Sequence, residues 1–142
     1  MYRSILLPVD LEAATGKRRA LNVAVDLAAH WQAKLHVMTV VPDFGMSIVG
    51  SFFDDGFADR VAADVVGKLE AFVDEHVPAG LAVTREVARG SIYDGVLRAA
   101  VQRSCDCIVI GSHRPALQDY LLGPNAARVV RHAKCSVVVV RP

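Results

Sequence analysis

The chain alternates between apolar runs of strand length and amphipathic runs of helix length. Residues 5–9 are almost wholly apolar and end at Asp10, which is typical of a strand buried on both faces. Residues 35–41 predict a second strand for the same reason. Between and after these strands, residues 15–31 and 61–72 carry apolar side chains at three- and four-residue spacing, which predicts two helices that each bury one face.

The second half continues this alternation. Residues 81–88 predict a strand, and Ser91 with Asp94 resembles a capping box at the start of a helix that ends near residue 103. Residues 108–110 predict a short buried strand, residues 112–123 a loop, and Pro124 suits the first turn of a last helix. Strict alternation predicts an α/β fold: one domain over residues 1–142, with a doubly wound, Rossmann-like parallel sheet of five strands in the expected order 3-2-1-4-5.

Two strands carry signs of lying at an edge of the sheet. Arg85 and Glu86 sit inside residues 81–88, and charges within a strand favour an exposed edge. The last strand, Val137 to Val140, is four consecutive valines, which as a bare edge would invite pairing with another chain. We therefore expect a homodimer through this strand; a monomer with the strand covered is the alternative.

A doubly wound sheet binds its ligands beyond the carboxyl ends of its strands. This rule selects Asp10, Val40 with Val41, and the loop that starts at Gly111. Along the loop, Ser112 and His113 offer hydrogen-bond donors and Arg114 a fixed positive charge. Gly123 precedes a helix whose first amides, near Asn125 and Ala126, favour a phosphate. An ordinary strand-to-helix connection with turn glycines explains the same spacing equally well.

The stretch from Ile108 to Pro142 resembles the carboxyl-terminal signature of the universal stress protein family. Further similarities are the Pro8-Val9-Asp10 ending of the first strand, Arg89-Gly90-Ser91 before the third helix, and Arg131-His132-Ala133 before the last strand. The Ser-His-Arg-Pro loop resembles a bacterial subgroup of short, single-domain members.

The resemblance implies an adenine nucleotide, usually ATP with or without Mg²⁺, between the first and fourth strands, and a role in regulating a stress response. In that arrangement Pro8, Val9 and Asp10 would lie near the adenine and ribose, and Val40 would contact the base. The ribose and phosphates would be lined by Gly111, Ser112, His113 and Arg114, and closed over by Gly123, Asn125 and Ala126. Family members commonly dimerise through their last strands.

The loop departs from the family signature at two places. Arg114 stands where the second glycine of Gly-x-x-Gly is expected, and Pro124 replaces a serine or threonine. Since proline has no amide proton, one phosphate donor and one hydroxyl are missing. The departures favour an alternative, a nucleotide-free stress dimer that acts through protein contacts. A third hypothesis is slow ATP hydrolysis or self-phosphorylation, for which no catalytic residue is identified.

The net charge and the number of cysteines limit the kinds of binding partner and the cellular compartment that we expect. The formal net charge is +1, so the overall field gives no reason to expect nucleic acid or a membrane. The 3 cysteines are too few for a secreted disulfide framework, which predicts a cytoplasmic protein. Cys105 and Cys107 are expected to share one strand face as buried thiols rather than to bind a metal. The histidines at 30, 36, 76 and 132 are expected at the surface or at helix ends.

Overall fold

The computed structural model describes residues 1–11, 17–41, 55–112 and 123–141. Strands and helices alternate along them in the predicted order. The elements are β1 (Ser4–Pro8), α1 (Lys17–Trp31), β2 (Lys34–Val41), α2 (Asp55–His76), β3 (Val83–Arg89), α3 (Ile92–Gln102), β4 (Cys107–Gly111), α4 (Pro124–His132) and β5 (Ser136–Val140). No helix within those ranges combines the length and the hydropathy needed to cross a bilayer.

The strands form one parallel sheet in the order β3-β2-β1-β4-β5, which confirms the predicted topology. Ile5 in the central strand lies between Leu35 of β2 and Cys107 of β4. Each of the first four strands is followed by a helix that connects it to the next parallel strand, and connections of this kind are right-handed in nearly all proteins. Strand order reverses between β1 and β4, so these two strands define the switch point of the sheet.

Helices cover both faces of the sheet. One core cluster contains Ile5, Leu7 and Val109 of the sheet with Leu21 of α1 and Leu69 of α2. The other contains sheet residues of the opposite face, among them Leu6, Met38 and Ile108, packed with Val96 of α3 and Val129 of α4. Since strand side chains alternate between faces, the near-continuous apolar runs of the central strands supply both clusters.

The two edges of the sheet are β3 and β5, as their sequences indicated. On β3, Arg85 pairs with Asp74 at 2.8 Å, and Glu86 accepts a hydrogen bond of 3.3 Å from the Arg103 guanidinium. These charged side chains make β3 a poor template for pairing with another chain. β5 has no such charge, and its valines are half-buried within the single chain.

The prediction of a capping box at α3 is wrong, because the side-chain hydrogen bonds that define such a box are not formed. Ser91 does occupy the N-cap position with an extended backbone, but its side chain makes no capping hydrogen bond. Asp94 instead pairs with Arg98 one turn along the helix. A carboxylate engaged at i+4 is directed away from the N-cap amide, so the reciprocal bonds of a capping box do not form.

The surface assignment of His36 is also wrong, although His30, His76 and His132 do lie in the last turns of their helices. His36 lies on β2 and is only 5% exposed. Its Nδ1 lies 2.5 Å from Thr84 Oγ1 and its Nε2 lies 3.0 Å from Ser4 Oγ. Both faces of β2 are covered by helices, so a polar residue there must be buried and hydrogen-bonded.

This buried histidine makes stability depend on pH. Burial lowers the pKa of His36 below its ordinary value of about 6.5. The positive charges of Arg103 and Lys34 lower this pKa further, and the negative charge of Glu86 raises it. The unfolded chain therefore takes up this proton first as pH falls. We expect the free energy of unfolding to decrease below pH about 6.5 through this group, and His36→Asn to remove that part of the slope.

Urea unfolding at pH 7.5 and pH 5.5 measures this effect. The matched control is His30→Asn, because His30 is exposed in the last turn of α1. The control should keep the pH dependence of the unaltered chain. Equal slopes in the unaltered chain and the His36→Asn variant would contradict the prediction.

Candidate functional site

β1 and β4 end side by side in the middle of the sheet, where strand order reverses, and the position beyond their carboxyl ends is the candidate ligand crevice of this fold. Asp10 is the second residue after β1, Gly111 is the last residue of β4, and α4 begins at Pro124. Backbone groups and side chains from both strands and from the start of α4 are therefore brought to one end of the sheet. Ligands of doubly wound folds bind at such a position.

The β1 side of the crevice is formed by Pro8, Val9 and Asp10. The Val9 amide donates to the Met38 carbonyl at 2.8 Å, so it is already used within the sheet. The Val9 side chain packs against the core cluster beneath α1. Asp10 is exposed. Of the three predicted residues on this side, Asp10 thus places a polar side chain at the surface of the crevice.

Val40, near the carboxyl end of β2, is held in place by α3. A Cβ added at Gly95 would lie 3.1 Å from Val40 Cγ2, tighter than ordinary packing allows. The absence of a side chain at Gly95 lets the first turn and a half of α3 approach β2 closely. We did not identify Gly95 as a site residue from the sequence, although a glycine inside a helical pattern is a signal of close packing.

Gly111 and Ser112 end the β4 side of the crevice. A Cβ added at Gly111 would lie 3.7 Å from Ala20 Cβ, which is an ordinary contact, so packing against α1 does not by itself require glycine here. The Ser112 amide donates to the Val140 carbonyl at 2.9 Å and extends the pairing of β4 with β5. That amide is therefore used within the sheet, and of the two hydrogen-bond donors of Ser112 the hydroxyl is the one left to act on a ligand.

The Ser112 hydroxyl is buried, and no described residue forms a hydrogen bond with it. Ser112 is 4% exposed, and its Oγ has no hydrogen-bond partner among the described residues. Continuing the alternation of β4 places this side chain on the face covered by α3 and α4. A buried hydroxyl without a hydrogen bond costs about 1–3 kcal/mol, so this group needs an explanation.

The start of α4 completes the site. Gly123 is the N-cap residue, no side chain of the described ranges caps the helix, and Pro124 occupies the first turn as predicted. The first amides of a helix have no partners within the helix and carry the positive end of its dipole. Asn125 is half-buried, whereas Ala126 is buried in the core. Ala126 can therefore contribute its backbone but not its side chain.

His113 and Arg114, the other two predicted site residues, lie outside the described residues. Within the described ranges, no group of three or more histidine, cysteine or acidic side chains is arranged to hold a metal ion.

The fold defines a doubly wound α/β protein whose candidate site is at the topological switch point. Residues 1–141 match the family model described as "Universal stress protein family". The chain is 30% identical over 143 residues to universal stress protein G of Shigella flexneri, covering 99% of this chain and 100% of that protein. It therefore belongs to the universal stress protein family, which confirms the resemblance noted in its sequence.

Solved structures agree on the fold. Universal stress protein UspA from Lactobacillus plantarum is 26% identical with a TM-score of 0.72, covering 99% of this chain and 98% of that one. Hypothetical protein MJ0577 is 21% identical with a TM-score of 0.82, covering 100% and 97%. A universal stress protein in complex with cAMP is 22% identical with a TM-score of 0.73, covering 99% and 97%.

Proposed function

We propose that this protein binds an adenine nucleotide, ATP, in the crevice between the carboxyl ends of β1 and β4, and that occupancy regulates its action in a cytoplasmic stress response. The observation that carries the proposal is the buried Ser112 hydroxyl at the end of β4, for which the described residues offer no hydrogen-bond partner. Such a hydroxyl, beside an uncapped helix start, is suited to donate to a ribose or phosphate oxygen.

The other residues of the proposed site divide between the two ends of the nucleotide. Asp10 is exposed at the end of β1 and suits the hydroxyl groups of a ribose, as an acceptor. Val40, half-buried beneath Gly95, offers an apolar surface for the base. The amides at the start of α4, with His113 and Arg114, are proposed for the phosphates.

The comparisons support an adenine nucleotide as the ligand class. One structural relative is described in complex with cAMP, which carries the same base. ATP and cAMP differ in their phosphates, so the two ligands test the two ends of the proposed site separately. We propose ATP, with or without Mg²⁺, because an uncapped helix start suits a chain of anionic phosphates.

The Ser112→Ala variant tests this proposal through two effects of opposite sign. Without ligand, the variant loses a buried hydroxyl that lacks a partner, so its stability is expected to stay equal or rise by up to about 1 kcal/mol. With ATP, it loses one hydrogen bond to a charged group, so the affinity is expected to fall about tenfold. Calorimetric titration with ATP and urea unfolding of the free protein measure the two effects.

Ser91→Ala is the matched control, because Ser91 is exposed and makes no capping bond through its side chain. It should leave ATP affinity unchanged. Titration with GTP tests recognition of the base and should give weaker binding than ATP. Absence of ATP binding at millimolar concentration, with Mg²⁺ present, would overturn the proposal.

One observation favours the nucleotide-free alternative. Pro124 occupies the first turn of α4, so that position has no amide to offer a phosphate. In this second proposal the protein acts as a homodimer joined through β5, whose uncharged edge would be covered by the partner strand. Light scattering that gives twice the mass of one chain, together with no ATP binding, would favour it over the first proposal.

A further inference from the structure

A groove of about 260 Å³ lies at the amino ends of β4 and β5, on the face of the sheet covered by α3 and α4. Its lining comes from α3, from β4, from the end of α4 and from the two segments that lead into β4 and β5. The groove is at the opposite end of the sheet from the proposed nucleotide crevice, so a ligand bound here would not occupy that crevice.

Most of the lining of this groove is apolar. Leu97 and Val101 lie one turn apart on α3, so their side chains are neighbours, and Ile108 of β4 lines the same groove. Val101 is 70% exposed, although it is an apolar side chain beside a concave surface. A hydrocarbon chain in the groove would remove this surface from water, which is favourable.

The charge at the groove is positive. Lys134 and His132 are among its lining residues, whereas no acidic side chain of the described ranges is. Lys134 is exposed and forms no ion pair with another described residue. A cation just after a helix also stabilises the helix dipole, so the charge of Lys134 defines a site only together with the apolar groove beside it.

Asp106, a carboxylate close to the groove in the sequence, is engaged elsewhere. Its Oδ2 accepts a hydrogen bond of 2.9 Å from the Arg3 amide, and its Oδ1 accepts one of 3.1 Å from the Ser4 amide. The Asp106 carboxylate therefore holds the start of β1 and forms no ion pair with Lys134. The Lys134 ammonium is left to pair with an anion from outside the described chain.

Two thiols in the groove make its occupancy measurable. Cys105 and Cys135 are free and half-buried there, on the face covered by α3 and α4. Cys107 is instead fully buried in the core cluster beneath α1 and α2, so the expectation that Cys105 and Cys107 share a strand face is wrong. Cys105 precedes β4, and its amide donates to the Ala100 carbonyl at the end of α3, so the alternation of the strand does not extend to it.

We propose that this groove binds a small aliphatic carboxylate, whose hydrocarbon chain lies against Leu97, Val101 and Ile108 and whose carboxylate pairs with Lys134. The volume of the groove sets the length of the chain. A water molecule takes about 30 Å³ in the liquid and a methylene group is of about the same size, so the groove holds about eight such groups. Octanoate is therefore the probe that fits the groove.

Titration with straight-chain carboxylates tests the class of ligand. From butanoate to octanoate, the affinity should rise about twofold for each half-exposed methylene and about fourfold for each fully buried one. Octylammonium has the same chain with the opposite charge and should bind about tenfold more weakly than octanoate. No binding of octanoate at millimolar concentration, or equal binding of octanoate and octylammonium, would overturn the proposal.

Alkylation of the thiols shows where octanoate binds. Iodoacetamide is small and uncharged, and saturating octanoate should slow its reaction with Cys105 and Cys135, because the bound chain covers both sulfur atoms. Cleavage before Asp106 separates Cys105 from Cys107, so peptide masses assign each reaction. In denaturant, octanoate should not change the rates. Binding of octanoate that protects neither thiol in the folded protein would place the ligand elsewhere and contradict the proposal.

Lys134→Glu reverses the charge at the groove. It should lower the affinity for octanoate about tenfold and raise the affinity for octylammonium, an exchange of preference that a purely structural role of Lys134 does not produce. Lys34→Glu is the matched control, because Lys34 is exposed at the same end of the sheet and does not line the groove. It should leave both affinities unchanged to within about twofold. Equal effects of the two variants would mean that octanoate responds to net charge and not to this groove.

Discussion

Replacing the N-cap glycine of α4 with aspartate (Gly123→Asp) is expected to lower the affinity for ATP by about a hundredfold or more. Gly123 is buried, and among the residues that the structure describes no side chain caps the helix that follows it. The new carboxylate accepts the first helix amides and puts negative charge where phosphates are proposed to lie. Two lost hydrogen bonds to a charged group, at about 1.5–3 kcal/mol each, account for that factor.

Gly123→Asn is the matched control for this change. Asparagine has the same size and caps the helix in the same way, but it carries no charge. Its affinity for ATP should lie between those of the unaltered protein and Gly123→Asp, which separates competition for the amides from charge repulsion. Calorimetric titration measures both variants. ATP binding in Gly123→Asp at undiminished affinity would move the phosphates away from α4.

Truncation of one central side chain, Leu6→Ala, is expected to lower the free energy of unfolding by about 3 kcal/mol. Leu6 lies on the central strand β1, is 0% exposed, and packs with Ile108, Val96 and Val129 beneath α3 and α4. Elements on both sides of it are already close-packed, so the cavity left behind cannot collapse fully. Urea unfolding at pH 7.5 measures the change.

Val101→Ala removes a side chain of similar chemistry from α3, where it is 70% exposed. Its effect on the free energy of unfolding should stay within about 0.5 kcal/mol, because little apolar surface is buried there and alanine favours a helix. A loss in Val101→Ala as large as that in Leu6→Ala would mean that another surface covers this face of α3, such as a second chain.

Much of the fold was readable from the sequence because its periodicity is unambiguous. The apolar run at residues 108–110 and the valines of the last strand became β4 and β5, each within about two residues of its predicted bounds. Charges at Arg85 and Glu86 correctly assigned β3 to an edge, because only an edge strand can keep such side chains hydrated.

The candidate site was readable in part. Strand ends and the start of a helix follow from chain order, so the sequence could assign Asp10, Gly111 and Gly123 to one end of the sheet. It could not show that the Ser112 amide donates to Val140 while its hydroxyl finds no partner in the described part of the chain. The sequence also gave no direct sign that Gly95 allows α3 to approach β2 closely. Both the Ser112 contacts and the Gly95 contact join elements that are distant in the chain, so a local pattern does not reveal them.

The amino-acid sequence by itself determined the alternation of elements and the parallel topology, and these place the candidate site at one end of the sheet, because they follow from local periodicity and chain order. Only the tertiary structure decided which polar groups are buried together. His36, Ser4 and Cys105 are far apart in the chain and meet because β1, β2 and the start of β4 lie side by side. Contacts between distant segments are set by packing, which no local pattern encodes.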